Sequence, residues 1–199
     1  MQGQTATSHT GIPYPCNPAA STAVTCRQRG FTLVELLVAI SITSILMALA
    51  VASFQDFLNQ RRMEGVAAEM VIDIQYLRSE AVARNKQLRI SFGTDVGGSC
   101  YVMHTGGAGD CTCNHNGTAQ CSDPDAQTIK SIGLPVALGV QLQANVSSML
   151  FDPVRGTATP AGSINFTGSS GKTIRHVVNI LGRTRTCSPQ GSLPGYKVC

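Results

Sequence analysis

The stretch Arg29-Gly30-Phe31-Thr32-Leu33-Val34-Glu35, followed by residues 36–55, organises this chain. Residues 36–55 carry no formal charge, and at about 1.5 Å of helical rise per residue they are long enough to cross the ~30 Å apolar core of a membrane. Glu35 stands at the edge of this segment, where inserting a carboxylate costs about 2.5–3.5 kcal/mol and calls for a cationic partner. Cleavage between Gly30 and Phe31 would create that partner, a free amine. The sequence therefore predicts one membrane span with a processing site at its N-terminal end.

Residues 30–37, Gly-Phe-Thr-Leu-Val-Glu-Leu-Leu, resemble the class III signal of type IV pilins and type II secretion pseudopilins. The resemblance implies that a prepilin peptidase cuts after Gly30 and that the new N-terminal Phe31 is methylated. It also implies that Glu35 pairs with the amine of a neighbouring subunit in a filament, so that other minor and major pilins or pseudopilins are partners. An ordinary signal anchor is the alternative interpretation of the same residues.

Three regions follow from this signal. Residues 1–30 are predicted to be a cleaved leader peptide, residues 31–55 a transmembrane or filament-core helix, and residues 56–199 a periplasmic or extracellular head. Removing residues 1–30 takes away two arginines and no acid, which lowers the net charge from +4 to +2. The leader is longer than is usual in the resembled family, and translation from Val24 would shorten it. We expect a single pass through the bacterial inner membrane, with the head in the periplasm and later in a pilus or pseudopilus.

The second half of the long helix is predicted from an apolar period. Apolar residues recur at gaps of three and four, and these residues are Met63, Val66, Met70, Ile74, Leu77 and Ala81. No proline interrupts the chain between Pro18 and Pro124. The pattern therefore predicts one helix from Phe31 to about Asn85, with its apolar stripe packed on the head.

The rest of the head changes to a period of two. Residues 88–92, 140–143, 163–166 and 175–180 alternate in polarity and are bounded by glycine, proline or serine, which is typical of strands. The antiparallel sheet they form should lie on the helix stripe, which makes the head an α+β fold. Residues 97–127, rich in Gly, Asp, Asn and Cys, are expected to form a long loop.

Three segments of the head extend the resemblance. Residues 151–157, 162–166 and 180–185 resemble the GspH/FimT group of minor pilins and pseudopilins. With the N-terminal motif, the resemblance reaches from Arg29 to about Cys187 and leaves out only residues 97–127. It implies a pilin fold and a structural role. None of the four histidines has a recognisable catalytic surround, so we expect no enzyme activity, and His176 should be an exposed or half-buried residue on a strand.

The head contains six of the eight cysteines, at positions 100, 111, 113, 121, 187 and 199. An even number in an oxidising compartment indicates disulfides, although six cysteines allow fifteen pairings. Cys187 with Cys199 is the preferred bridge because the Pro- and Gly-containing segment between them suits a closed loop. Three thiolates and His115 also have the composition of a zinc site, but the Cys111-Thr-Cys113 spacing is tighter than usual. We expect neither a metal nor a cofactor.

The C-terminal part of the chain is cationic. No acidic residue follows Asp152, whereas six basic residues do: Arg155, Lys172, Arg175, Arg183, Arg185 and Lys197. Arg183 and Arg185 point to the same side if their segment is extended, and Lys172 and Arg175 lie on the preceding turn and strand. Planar guanidinium groups bind phosphate through two hydrogen bonds, and such a cluster attracts nucleic acid whatever its sequence.

The segment Gly182-Arg183-Thr184-Arg185 resembles the Gly-Arg-x-Arg motif by which the FimT branch binds extracellular DNA during natural transformation. The resemblance implies a minor type IV pilin near the pilus tip that binds DNA non-specifically through Gly182, Arg183 and Arg185, supported by Lys172 and Arg175. One alternative is the GspH-type pseudopilin of a type II secretion system, which is structural and has no DNA ligand. Another is a pilus-assembly primer that acts through partner pilins alone.

Overall fold

The structure, a computed structural model, describes residues 30–191 and 193–199, without the side chains of residues 49–53. The predicted leader up to Arg29 and the alternative start at Val24 lie outside the described residues. The chain divides into two compact units with a boundary between Ser44 and Ile45. One helix, α1 (Leu33–Arg84), contributes residues to both units.

Local signals set both ends of α1. At the N-terminus, Thr32 Oγ1 accepts a hydrogen bond from the backbone N–H of Glu35 over 3.3 Å, and Thr32 with Glu35 has the Thr-x-x-Glu spacing of a capping box. At the C-terminus, Asn85 adopts a left-handed φ of 49°, and the N–H of Lys86 bonds to the carbonyl of Ala81 over 3.2 Å. This closing turn satisfies carbonyls that the helix end leaves without partners. The helix predicted for residues 31–85 is confirmed.

Eleven strands and one short 3-10 helix follow α1. They are β1 (Leu88–Asp95), β2 (Gly98–His104), β3 (Cys111–Cys113), β4 (Ala119–Cys121), β5 (Thr128–Pro135), a 3-10 helix (Val136–Leu138), β6 (Val140–Ala144), β7 (Ser148–Phe151), β8 (Ala158–Thr159), β9 (Gly162–Gly168), β10 (Thr173–Val178) and β11 (Thr184–Cys187). A five-stranded sheet has the order β5-β2-β1-β7-β8, a four-stranded sheet has the order β11-β10-β9-β6, and β3 with β4 forms a hairpin. Neighbouring strands are antiparallel throughout these sheets.

The core lies between the apolar stripe of α1 and both larger sheets. Met70, Ile74 and Leu77 have no exposed surface, and they join one hydrophobic cluster with residues of the strands. The five-stranded sheet contributes residues such as Ile90 and Met103, and the four-stranded sheet contributes residues such as Phe166. The α+β architecture, a long helix packed on antiparallel strands, is therefore confirmed.

The expectation that residues 97–127 form a loop is wrong. The segment contains β2, which lies inside the five-stranded sheet between β1 and β5, as well as the β3–β4 hairpin. Residues 100–103, Cys-Tyr-Val-Met, are all buried, and a strand covered on both faces shows a continuous apolar run rather than alternation. Glycines flank this short run and asparagines follow it, and this composition is typical of a loop.

Three disulfides join the six cysteines of the head. Cys187 pairs with Cys199, Cys100 with Cys113, and Cys111 with Cys121. The last two attach the β3–β4 hairpin to β2 and to itself. Each thiol of the alternative zinc set is therefore oxidised in a cystine, Cys111 with Cys121 and Cys113 with Cys100 outside the set. The described part of the chain contains no group of three or more metal-ligating side chains placed to hold an ion.

His176 is buried, which corrects the expectation of an exposed or half-buried side chain. Only 1% of the residue is exposed, because β10 turns Ile174, His176 and Val178 toward the core. Its Nε2 lies 2.8 Å from the carbonyl oxygen of Ala67, so this nitrogen carries the proton, and Nδ1 accepts from the Thr186 hydroxyl over 2.9 Å. The imidazole is thus held neutral and links α1 to the four-stranded sheet.

His104 is a second buried neutral imidazole. Its Nδ1 accepts the N–H of Gly106 over 3.1 Å and its Nε2 lies 2.8 Å from the Ser91 hydroxyl. Burial lowers the pKa of both His104 and His176, and the nearby Arg89 lowers the pKa of His104 further.

We therefore expect the head to lose stability on mild acidification. Unfolded histidines titrate near pH ~6.5, so below that pH the unfolded chain binds protons that the folded chain excludes. The contribution is fully present above pH ~6.5 and is lost as the pH falls toward the lower folded pKa values. Scanning calorimetry of the full chain in non-ionic detergent should show the melting temperature of the head falling as the pH is lowered below about 6.5.

The control is the double variant His104→Gln/His176→Gln, which should be less stable at neutral pH but show a flatter dependence over the same range. Asp95 does not interfere, because the hydrogen bond from His115 lowers its pKa to about 2, and its contribution is lost only in stronger acid. A wild-type melting temperature that stays constant over this range would contradict the prediction.

Candidate nucleic-acid interface

The turn between β10 and β11 presents the motif at residues 182–185. The N–H of Gly182 bonds to the carbonyl of Asn179 over 2.9 Å, and the N–H of Arg183 bonds to the Asn179 side-chain oxygen over 2.9 Å. Gly182 has a φ of 70°, and a Cβ there would lie 3.0 Å from the carbonyl oxygen of Gly156 and 3.1 Å from Cδ of Arg78. The motif therefore needs glycine for the turn and its packing, whether or not this residue touches a ligand.

Arg183 and Arg185 lie on the same side of the turn and strand. Arg185 is paired with Val177, on the face of β10 opposite to the buried His176. Backbone hydrogen bonding between Asn179 and Arg183 continues this ladder by one residue pair, which places Arg183 on the face of Arg185. Both arginines are exposed, and no carboxylate among the described residues forms an ion pair with either.

The other two predicted contact residues are held by neighbours. Nε of Arg175 donates to the side-chain oxygen of Asn165 over 2.8 Å, on the side of β10 away from β11. Lys172 lies at the opposite end of β10 from the turn, and its Nζ donates to Gln60 over 3.1 Å. Six residues of strand separate Lys172 from the turn, about 20 Å at the usual rise. Arg183 and Arg185 are therefore the exposed pair, and Lys172 is remote from them.

Two arginines that the motif does not include lie on the other side of the turn. The carbonyl of Gly156 accepts a hydrogen bond from Nε of Arg78 over 2.9 Å, and Arg155 precedes that glycine. The N–H of Ala158 bonds to the carbonyl of Ile180 over 2.8 Å, so residues 152–158 and 179–182 are joined. Arg155 is visible in sequence as one of the basic residues after Asp152. Arg78 carries no such signal, because it lies beside the apolar stripe of α1.

The predicted processing site lies in the first unit. Gly30 is exposed and has nothing within 4 Å of a Cβ placed on it. Phe31 is 82% exposed, and Glu35 occupies the first turn of α1, where the helix dipole favours a carboxylate. No described cation forms an ion pair with Glu35.

A membrane crossing was also predicted for this part of the chain. Among the described residues, no helix has the length and apolar character that crossing a membrane requires.

Two family models match the chain. The model described as type II transport protein GspH matches residues 66–182, and the model of the prokaryotic N-terminal methylation motif matches residues 25–51. No curated protein matches.

Similar solved structures include two filament subunits. The type IV minor pilin FimU of Pseudomonas aeruginosa is 17% identical with a TM-score of 0.49, covering 67% of this chain and 97% of its own. The minor pseudopilin EpsH of the type 2 secretion system of Vibrio cholerae is 15% identical with a TM-score of 0.44, covering 64% of this chain and 98% of its own.

Proposed function

We propose that this protein is a minor type IV pilin near the pilus tip, and that it binds DNA non-specifically for uptake in natural transformation. The proposal starts from the family: the chain belongs to the type II transport protein GspH family. The chain is a minor pilin or pseudopilin of the GspH/FimT type and therefore a structural subunit rather than an enzyme. The main observation in favour of DNA binding is the exposed pair Arg183 and Arg185. Among the described residues, no carboxylate forms an ion pair with either arginine.

The chemistry of this pair suits phosphate. Each guanidinium that contacts a phosphate releases condensed counterions, which supplies affinity without any sequence readout. Because no acidic residue follows Asp152, no acidic side chain of the C-terminal segment competes for the arginines. Phe166 is fully buried and unable to stack on a base. We therefore expect binding that depends strongly on salt and little on base sequence.

The test is the double variant Arg183→Gln/Arg185→Gln. Loss of two phosphate contacts should lower affinity for duplex DNA and reduce the magnitude of the log–log salt slope by about 2. Fluorescence anisotropy of two labelled duplexes of unrelated sequence, titrated with the full chain in non-ionic detergent over a series of salt concentrations, measures both quantities. Because both side chains are exposed, the melting temperature should change little.

Lys172→Gln is a control for a charge lost outside the pair, since it removes one positive charge where Nζ is already held by Gln60. Its effect should be smaller than that of the double variant, and Arg175→Gln should also have a smaller effect. The proposal fails if the wild-type chain does not bind duplex DNA at low salt, if the double variant binds normally, or if its loss of binding accompanies unfolding.

The second candidate function is a GspH-type pseudopilin of a type II secretion system, without a DNA ligand. The description of the matching family model favours it. Deleting the gene that encodes the chain separates the two functions. Loss of protein secretion would indicate the pseudopilin, and loss of DNA uptake would indicate the proposed pilin.

We further propose that the chain is held in the inner membrane before assembly, with the head in the periplasm, and that prepilin peptidase processes it there. The uncharged residues 36–55 support this anchoring. In addition, the hydroxyls of Ser41 and Thr43 donate to backbone carbonyls of α1, at 2.8 and 2.9 Å, as suits hydroxyls in an apolar environment. After cleavage, the carboxylate of Glu35 would pair with the methylated amine of Phe31 in a neighbouring pilin or pseudopilin.

A further inference from the structure

We infer that the DNA-binding surface extends from Arg183 across Gly182 to Arg155 and Arg78, rather than along β10 to Lys172. The inference rests on the proposed function and adds two contact residues to it. Arg78 and Arg155 line a groove of about 420 Å³ between α1 and the turn that follows β7. The groove also includes Gln75, Ser79 and Val82, and it contains no carboxylate.

Arg78 connects the two turns. Its Nε donates to the carbonyl of Gly156 over 2.9 Å, and a Cβ on Gly182 would lie only 3.1 Å from its Cδ and 3.2 Å from its Nε. The guanidinium is therefore positioned before any ligand arrives. A fixed guanidinium loses less conformational entropy on binding than a mobile one.

The terminal amino groups of Arg78 remain for a ligand. A guanidinium has five N–H donors, of which Nε provides one. Among the described residues, no hydrogen bond or ion pair is formed by the terminal nitrogens of Arg78. The nearest acid in sequence, Glu80, is paired with Arg84, and side chains two residues apart on a helix do not face each other.

Arg155 stands at the tip of the neighbouring turn with an exposed side chain. The carboxylate of Asp152 accepts the backbone N–H groups of Val154 and Arg155 over 3.0 and 2.8 Å. Asp152 thus holds the turn in place, and it forms no ion pair with the Arg155 guanidinium. The side chain of Arg155 therefore remains available to an anion outside the protein.

The spacing of these arginines fits a polyanion. Arg155 is one residue from Gly156 and Arg183 is one residue from Gly182, a Cα step of about 3.8 Å in each case, and both glycines adjoin Arg78. The three positions thus fall within roughly 12 Å, over which duplex DNA carries about seven phosphate charges. Lys172, about 20 Å along β10, lies outside this group. A duplex seated on the turns would meet Arg78, Arg155 and Arg183 together.

The test compares Arg155→Gln with Lys172→Gln in the full chain in non-ionic detergent, using labelled duplex DNA of mixed sequence. Arg155→Gln should lower affinity and reduce the magnitude of the log–log salt slope by about 1, whereas Lys172→Gln should leave the slope nearly unchanged. Arg78→Gln should act like Arg155→Gln. Because Arg78 also donates a hydrogen bond to the carbonyl of Gly156, calorimetry must show that the Arg78→Gln variant remains folded. If that variant unfolds, Arg155→Gln alone tests the surface.

The outcomes separate this inference from the proposed function. If Arg183→Gln/Arg185→Gln weakens binding while Arg155→Gln matches the wild type, the extended surface is overturned and the proposed function stands. If Lys172→Gln reduces the slope more than Arg155→Gln does, the surface runs along β10 and the inference is wrong. A wild-type chain that binds anionic phospholipid vesicles but no duplex DNA overturns both.

Discussion

Replacing Gly30 with valine is expected to abolish the mature form of the protein. The resembled signal is cut after this glycine, and a peptidase subsite that accepts only hydrogen has no room for a branched side chain. The fold of the chain itself does not require glycine at this position, because a Cβ at Gly30 would have no atom within 4 Å. The substitution should therefore act on cleavage rather than on folding. Intact mass measurement of the protein from membranes and filaments would show unprocessed chain only.

Glu35→Ala is the matched control in the same segment. This variant should be cleaved and inserted normally but incorporated poorly into filaments, because it keeps Gly30 and removes the carboxylate that we propose to pair with a neighbour's amine. It also removes the acid from the first turn of α1, a loss of only about 0.3–1 kcal/mol. Mature protein beginning at Phe31 in the valine variant would refute the cleavage argument. Normal incorporation of the alanine variant would refute the pairing.

Replacing Asp73 with alanine should have the largest effect on stability. Asp73 is 4% exposed on the core face of α1, where it accepts the Tyr101 hydroxyl over 2.6 Å and Lys130 Nζ over 2.8 Å. Burial and the Asp73 carboxylate both raise the pKa of Tyr101 above its ordinary value. Without Asp73, the buried Tyr101 hydroxyl loses its acceptor, and the partly buried Lys130 ammonium keeps only the exposed carboxylate of Glu69.

Removing one partner of a buried ion pair costs about 3–5 kcal/mol, and the lower end applies here because the Lys130 side chain is 34% exposed. At roughly 2–4 °C per kcal/mol for a domain of this size, the melting temperature should fall by about 10 °C. Scanning calorimetry measures it. Glu69→Ala is the control, since Glu69 binds the same ammonium but its side chain is 45% exposed, and its loss should cost under about 1 kcal/mol. Equal shifts for the two variants would contradict the argument.

The elements with regular periods were predictable from their residues alone. The apolar stripe from Met63 to Ala81 predicts the buried face of α1, since side chains three and four apart share a helix face whatever lies opposite. The alternating segments predict β1, β6, β9 and β10 for the same kind of reason. The buried strand β2 shows no alternation, because both of its faces are covered, so its residue pattern does not distinguish it from a loop.

The burial of His176 could not be predicted from the local sequence pattern. The alternating pattern places His176 on a strand. The hydrogen-bond partners of its ring, however, are the Ala67 carbonyl, 109 residues away in sequence, and the Thr186 hydroxyl on the neighbouring strand. The cystine between Cys187 and Cys199 closes a short loop and agrees with the pairing preferred from sequence. The pairings around the β3–β4 hairpin depend on register between strands that the sequence did not reveal.

The sequence was sufficient for the processing motif, the long helix, the α+β class and the arginine pair at residues 183 and 185, because each rests on neighbouring residues or on a period. It was insufficient for the extent of the basic surface. The spread of cations after Asp152 suggested that Lys172 and Arg175 would join the pair. In the folded chain Lys172 lies at the far end of β10, and Arg78, more than a hundred positions away in sequence, lies beside Gly182. Proximity of this kind arises from helix-on-sheet packing, which brings together residues that no local spacing relates.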